Sequence, residues 1–224
     1  MFECVFTQAF NTPWVLFERP ISHFVDRIPS EKAKGDSSLK AAGGFSIDMK
    51  LWWYIEWPDA IRRRTLLYIR SKGINRLIRI NALEYATIII SFVTATYFFT
   101  KINPDPTDPY PVALIEADNT CVESWMIKGC KTSCIEKKLG LLQCTLMINN
   151  PVGASTKQVS TTDNIIADGI LRVDKANDAN SFFCLLQQAY PELRSCCQFY
   201  PSAELVSAVT RILLQEQSIE SPSL

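Results

Sequence analysis

The chain has 224 residues, of which 47% are hydrophobic and 21% charged. Five Trp, twelve Phe and seven Tyr exclude a disordered chain, and eight Gly with twelve Pro exclude collagen-like or low-complexity material. The 23 basic and 23 acidic residues cancel, so any nucleic-acid partner would be held by a local patch rather than by an overall positive charge. These values predict one globular domain with an appendage.

The cysteines argue against a structural zinc site. The chain has eight cysteines but no CxxC pair, and His23 is its single histidine. Because structural zinc needs thiolates or imidazoles at short paired spacings, we expect reduced and mostly buried cysteines instead. The first residues lack a basic segment followed by an apolar one, so we expect no signal peptide and an intracellular protein, either cytoplasmic or nuclear.

The first half of the chain predicts a strand meander. Residues 1–28 show no clear period and are expected to be irregular. Extended segments follow, with the first strand around Asp36, an alternating stretch from Gly43 to Asp48, and the aromatic stretch Lys50–Trp57. Pro58 ends the last strand, and the basic segment Arg62–Arg70 is expected at the surface.

The longest predicted helix is Asn81–Phe99, with Asn81 as the N-cap and Glu84 as its capping-box partner. Its uncharged part, Tyr85–Phe99, falls short of the about 20 apolar residues that span a membrane. The pattern therefore favours a buried core helix and no membrane contact. A membrane-associated helical protein is the alternative.

The second half alternates strands and helices, which is typical of an α/β layered domain. The predicted elements are a buried strand Val112–Ile115, helices Thr120–Ile127 and Ser133–Ile148, a strand Gln158–Thr161 and a helix Ile165–Val173. Two more helices, Ser181–Ala189 and Ser202–Gln215, form a tail that either docks on the preceding domain or stays loosely attached.

Four carboxylates stand where predicted elements begin or end: Asp36, Glu84, Asp118 and Asp168. Ligands of open α/β sheets bind at the carboxyl ends of the strands. Carboxylates gathered there repel one another unless a hard cation such as Mg²⁺ lies between them, and two such ions support phosphodiester hydrolysis. Each residue also has a plain interpretation, as a turn residue, a helix cap, a strand-end turn or a solvated helix start.

Other acidic residues compete for these roles. Glu116 would share a strand face with Asp118 and is a fifth candidate, while Asp163 and Asp174 flank Asp168.

Four segments, in order, resemble the ribonuclease H-like domain of retrotransposon polyproteins, within the reverse transcriptase/ribonuclease H region. GDSSLKAAGGFS looks like the family's Asp-Ala-Ser…Gly-Gly opening, and INALEYATII is similar to its Asn-x-Leu-Glu helix. IEADNTCVESW is similar to its Asp-Asn-Thr turn, and DNIIADGILR to its closing Asn-x-x-Ala-Asp-x-Leu-Ser-Arg. Together they cover about two-thirds of the chain, between Pro29 and Val173.

The resemblance implies a mixed five-stranded sheet flanked by helices, over residues 29–174, with a helical tail over 175–224. It also implies a two-metal endonuclease that hydrolyses the RNA strand of an RNA–DNA hybrid. Asp36, Glu84, Asp118 and Asp168 would then be catalytic and would bind two Mg²⁺ ions, with Mn²⁺ as the alternative ion.

The sequence departs from the family at Ser37, where Ala is usual, and at Gly169 in the closing motif. It also lacks the histidine that many relatives carry before the last aspartate, and it shows no polymerase domain. The chain is therefore expected to be a fragment, a decayed copy or a separately encoded domain. An inactive remnant that keeps the fold as a nucleic-acid or protein binding module is the alternative to an active enzyme.

Candidate contacts to a hybrid come from polar and basic residues: Asn119, Arg62, Arg64, Lys128 and Lys131. A solvated surface is the plain interpretation of the basic ones. Trp52, Trp53 and Trp57 are expected to pack in the core rather than to stack on bases.

Overall fold

A computed structural model describes residues 28–71, 78–102, 104, 110–128, 134–171 and 179–215. The predicted irregular segment 1–28 therefore lies outside the described residues, apart from its last residue. The strands are β1 (Glu31–Ser37), β2 (Ala41–Ser46), β3 (Leu51–Glu56), β4 (Val112–Ala117), β5 (Gly153–Gln158) and β6 (Cys197–Gln198). The α-helices are α1 (Asp59–Ser71), α2 (Ile80–Tyr97), α3 (Thr120–Lys128), α4 (Cys134–Asn149), α5 (Ile165–Leu171), α6 (Ala179–Ala189) and α7 (Ala203–Leu214).

The strands form one mixed sheet in the order β5-β4-β1-β2-β3-β6. β1, β2 and β3 are an antiparallel meander, whereas β4 lies parallel to β1 and β5 parallel to β4. The predicted α/β class is confirmed. Within the described part of the chain the sheet has six strands rather than the expected five, because Cys197 and Gln198 pair with Leu51 and Trp52 and extend it beyond β3.

Alternation along the strands gives the sheet two packed faces. Trp53 and Trp57 belong to the larger core, which α2 also enters. Phe45 and Trp52, paired across β2 and β3, belong to a smaller core with Ile170 of α5 and Leu186 of α6. The three tryptophans are buried, so their predicted packing role is confirmed.

Helix α2 is the centre of the larger core. Most of its residues are buried, including Leu83, Ile89 and Phe92, which have no exposed surface. A π-helical turn, Phe98–Ile102, continues it. By length and composition alone, Ile80–Ile102 is the one stretch among the described residues that could cross a membrane, but 83% of its apolar 18-residue window is buried within the protein.

The C-terminal segment joins the fold rather than extending from it. Leu205, Val209 and Leu213 of α7 are buried in the larger core. The Arg64 guanidinium of α1 donates a hydrogen bond to the Leu214 carbonyl at 2.5 Å, and so satisfies a carbonyl at the end of α7. The tail was expected either to dock on the preceding domain or to stay loosely attached, and the structure shows that α7 docks.

Three local predictions are wrong. Helix α2 begins at Ile80, and no side-chain cap precedes it, so Asn81 is inside the helix and Glu84 lies beyond the first turn. The strand predicted at Gln158–Thr161 is instead Gly153–Gln158, since the chain enters the sheet at the glycine that ends the preceding loop. The cysteines of the described residues are free, as expected, but Cys121, Cys134, Cys184 and Cys197 are exposed.

Candidate functional site

The parallel pairing of β1 and β4 brings Asp36 and Asp118 to one edge of the sheet. Lys34 lies opposite Glu116 in the register, so a continuation by two residues places Asp36 beside Asp118. Neighbouring strands are about 4.8 Å apart, and residues two apart share a face. Both aspartates are half-buried.

Asp168 reaches the same edge through a short turn and helix. A 3₁₀ turn, Thr161–Asn164, leads directly into α5, and Asp168 lies in the first turn of that helix. The buried Asn164 amide donates to the Gly35 carbonyl at 3.5 Å, next to Asp36. Ala167 has no exposed surface, so a small residue lies where α5 packs against the sheet.

Close approach of α5 to the sheet also depends on Gly43, which pairs with Asp36 across β1 and β2. A Cβ atom at Gly43 would stand 2.5 Å from Cγ2 of Ile170. Steric crowding therefore explains why glycine stands at position 43: only a hydrogen atom fits beneath α5 there.

Glu84 is held by an amide network at the start of α3. The Asn119 side chain accepts hydrogen bonds from the backbone N–H groups of Cys121 at 2.8 Å and Val122 at 3.3 Å, and so caps α3. Its amide nitrogen donates to Oδ1 of Asn81 at 3.3 Å. A side-chain hydrogen bond from Asn119 to Glu84 lowers the pKa of that carboxyl.

The electrostatics show that the four carboxylates interact. The pKa of Asp36 is raised to about 6, chiefly by burial and also by the negative charges of Asp118 and Asp168, while the hydrogen bond from the Ser37 N–H lowers it. The pKa of Glu84 is raised to about 8, chiefly by burial and also by the charges of Asp118 and Asp36, while the hydrogen bond from Asn119 lowers it. Each of the four residues therefore lies within electrostatic reach of at least one of the others.

The donor chemistry of this cluster suits a hard cation, because all four side chains offer carboxylate oxygens. Oε2 of Glu84 is buried and has no hydrogen-bond partner, which is an incomplete environment for a carboxylate. Among the described residues, however, no three His, Cys, Asp or Glu side chains are grouped closely enough to hold a metal ion. Coordination would require these side chains to move together.

The competing acidic residues have local partners. Oε2 of Glu116 lies 3.6 Å from Nζ of Lys34. Asp163 accepts the Ser160 hydroxyl at 2.6 Å within the 3₁₀ turn, and Asp174 lies outside the described residues. Thr161, which the sequence did not single out, donates to Oδ2 of Asp118 at 3.3 Å.

The predicted nucleic-acid contacts are distributed unevenly. Asn119 lies at the carboxylate cluster, whereas Arg62 pairs with Asp59 at 3.2 Å and Arg64 is bound to α7, both from helix α1. Lys128 ends α3, and its side chain is not described; Lys131 lies outside the described residues.

No protein-family model, curated protein or solved structure matches the chain.

Proposed function

We propose that this protein is a ribonuclease H-like endonuclease of retroelement origin, which hydrolyses the RNA strand of RNA–DNA hybrids with the help of divalent metal ions. The single observation that carries the proposal is that Asp36 and Asp118 end neighbouring parallel strands at one sheet edge, with Glu84 and Asp168 within electrostatic reach of them. The motif order in the sequence is the second support. The mixed sheet is compatible with the family, with β6 added at its edge.

Within this proposal the four carboxylates would hold Mg²⁺, or Mn²⁺, which would supply a polarised water and neutralise charge on the phosphate. Asp36 and Asp118 would form the centre of the site, since Asp36 interacts with the other three carboxylates and Asp118 interacts with Asp36 and Glu84. Asn119 would keep Glu84 turned toward that centre while it caps α3.

The partners in this proposal are the hybrid itself and a polymerase domain. An intracellular location, cytoplasmic or nuclear, stays a prediction.

The alternative is a fold that has lost its reaction and acts as a binding module. The observation that favours it is the lack, within the described ranges, of three metal-donor side chains close enough to share an ion. Gly169 and the missing histidine of the sequence motif point the same way.

Cleavage of an end-labelled RNA–DNA hybrid in the presence of Mg²⁺ tests the proposal. We expect wild-type cleavage that Asp118→Asn reduces at least about a hundredfold, since removal of one charged group at such a centre costs that order of rate. Asp48→Asn is the matched control, because Asp48 is exposed in the turn between β2 and β3, at the opposite end of the strands. Failure of the folded wild type to cleave would favour the binding module.

A further inference from the structure

Lys34 occupies an unusual place behind the carboxylate cluster. It lies on β1 two residues before Asp36, and its side chain is only 26% exposed. Its Nζ donates to the Asp163 carbonyl at 2.7 Å and lies 3.6 Å from Oε2 of Glu116. One ammonium group therefore joins β1, β4 and the turn that precedes α5.

That turn is what delivers Asp168 to the site. Three side-chain contacts fasten it to the sheet edge: Lys34 to the Asp163 carbonyl, Asn164 to the Gly35 carbonyl at 3.5 Å, and Thr161 to Asp118 at 3.3 Å. The contact from Lys34 is the shortest of the three, and its donor carries a full charge, which makes such hydrogen bonds stronger than neutral ones.

These three contacts oppose the electrostatic repulsion between the carboxylates of the cluster. The negative charges of Asp168 and Asp36 repel each other. Ala167 and Ile170 anchor α5 on the sheet, whereas the turn before it is tied to β1 by the contacts of Lys34 and Asn164. A cation between β1 and the turn draws the turn inward and partly offsets the negative charge on this face.

We propose that Lys34 is a positioning residue that holds the segment from Thr161 to Leu171, and with it Asp168, against the other three carboxylates. The effect of Lys34 on catalysis depends on the proposed function, but its effect on the turn does not. The stabilisation of the turn by Lys34 can be measured without any catalytic activity.

The test compares Lys34→Met, Lys34→Arg and the control Lys32→Met in the full chain. Met keeps the apolar stem and removes the charge, Arg keeps a charged donor, and Lys32 is an exposed residue two positions earlier on the same strand. Amide hydrogen exchange of residues 161–171 reports the turn, and calorimetric titration with Mg²⁺ reports the assembly of the carboxylates.

We expect Lys34→Met to speed exchange in residues 161–171 relative to the rest of the sheet and to weaken Mg²⁺ binding about tenfold, a loss equal to about 1.4 kcal/mol. In hybrid cleavage it should lower kcat, with little change in KM for the hybrid, because Lys34 acts through Asp168. Lys34→Arg should restore most of each effect, and Lys32→Met should match wild type.

Equal exchange in Lys34→Met and wild type would overturn the proposal, as would effects of the same size in Lys32→Met. A wild type that neither cleaves the hybrid nor binds Mg²⁺, combined with the local exchange effect, would overturn the proposed function while supporting Lys34 as the contact that holds the turn.

Discussion

At the scale of single residues, the carboxylate cluster is a source of instability. The pKa values of Asp36 and Glu84 are raised to about 6 and about 8 in the folded protein, from 3.8 and 4.5. The folded state therefore holds its protons more tightly than the unfolded chain does. The resulting stabilisation is fully present below about pH 4 and is lost as the pH rises through 6 and then 8.

We expect amide substitution to remove this penalty. Asp36→Asn should raise the melting temperature of the metal-free protein by about 2–4 °C near pH 8, where about 1 kcal/mol shifts a chain of this size by that amount. The gain should shrink toward pH 5, where Asp36 is largely protonated. Thermal unfolding monitored by circular dichroism measures it, and Asp48→Asn, far from the cluster, should show no such pH-dependent gain.

Metal addition should stabilise the folded protein in the same alkaline range, where the carboxylates are ionised. Because Mg²⁺ binds the ionised carboxylates and competes with their protons, it should raise the melting temperature near pH 9 and have little effect near pH 5. Asp118→Asn should lose most of the rise. An equal shift at both pH values, or an unchanged shift in the variant, would mean that Mg²⁺ binds elsewhere.

At the scale of elements, α3 depends on the side chain that caps it. Asn119→Ala removes the acceptor for the N–H groups of Cys121 and Val122, and should lower the free energy of unfolding by about 1 kcal/mol. Asn119→Ser keeps a capping oxygen but loses the amide donor to Asn81, so it should regain most of that stability. Urea denaturation of the two variants separates the cap from the rest of the network.

The contact between α5 and the sheet depends on Gly43. A methyl group there would meet Ile170 at 2.5 Å, so Gly43→Ala should cost about 1–3 kcal/mol by overpacking. The double variant Gly43→Ala with Ile170→Ala should recover part of the loss, because the methyl then has room. Chemical denaturation of both proteins tests this. If the double variant is no more stable than Gly43→Ala, the loss does not come from a clash with Ile170.

The sequence predicted most of these elements because their signals are local. Alternation and aromatic residues indicate β2 and β3, and apolar spacing indicates α4. The cap of α2 was mispredicted because Asn81 faces Asn119, a partner from α3 that no local pattern contains. Lys34 and Thr161 were missed as neighbours of the site for the same reason, since their contacts cross the sheet edge.

At the scale of the whole molecule, the C-terminal helix is part of the core. Leu213 has no exposed surface, so Leu213→Ala should cost about 2–5 kcal/mol. Leu185→Ala is the control, since Leu185 is 58% exposed and should stay within about 0.5 kcal/mol of wild type. Calorimetry of both variants tests whether α7 unfolds together with the sheet; a separate second transition in the wild type would contradict this.

The position of α7 far downstream of α2 in the chain has a consequence for biosynthesis. A ribosome adds about 5–20 residues each second, so α2 is complete roughly ten seconds before α7 exists to cover it. During that interval α2, which is apolar enough to cross a membrane, lacks the part of its core packing that α7 provides. We therefore expect the nascent chain to engage chaperones or the membrane-targeting machinery until α7 emerges from the ribosome.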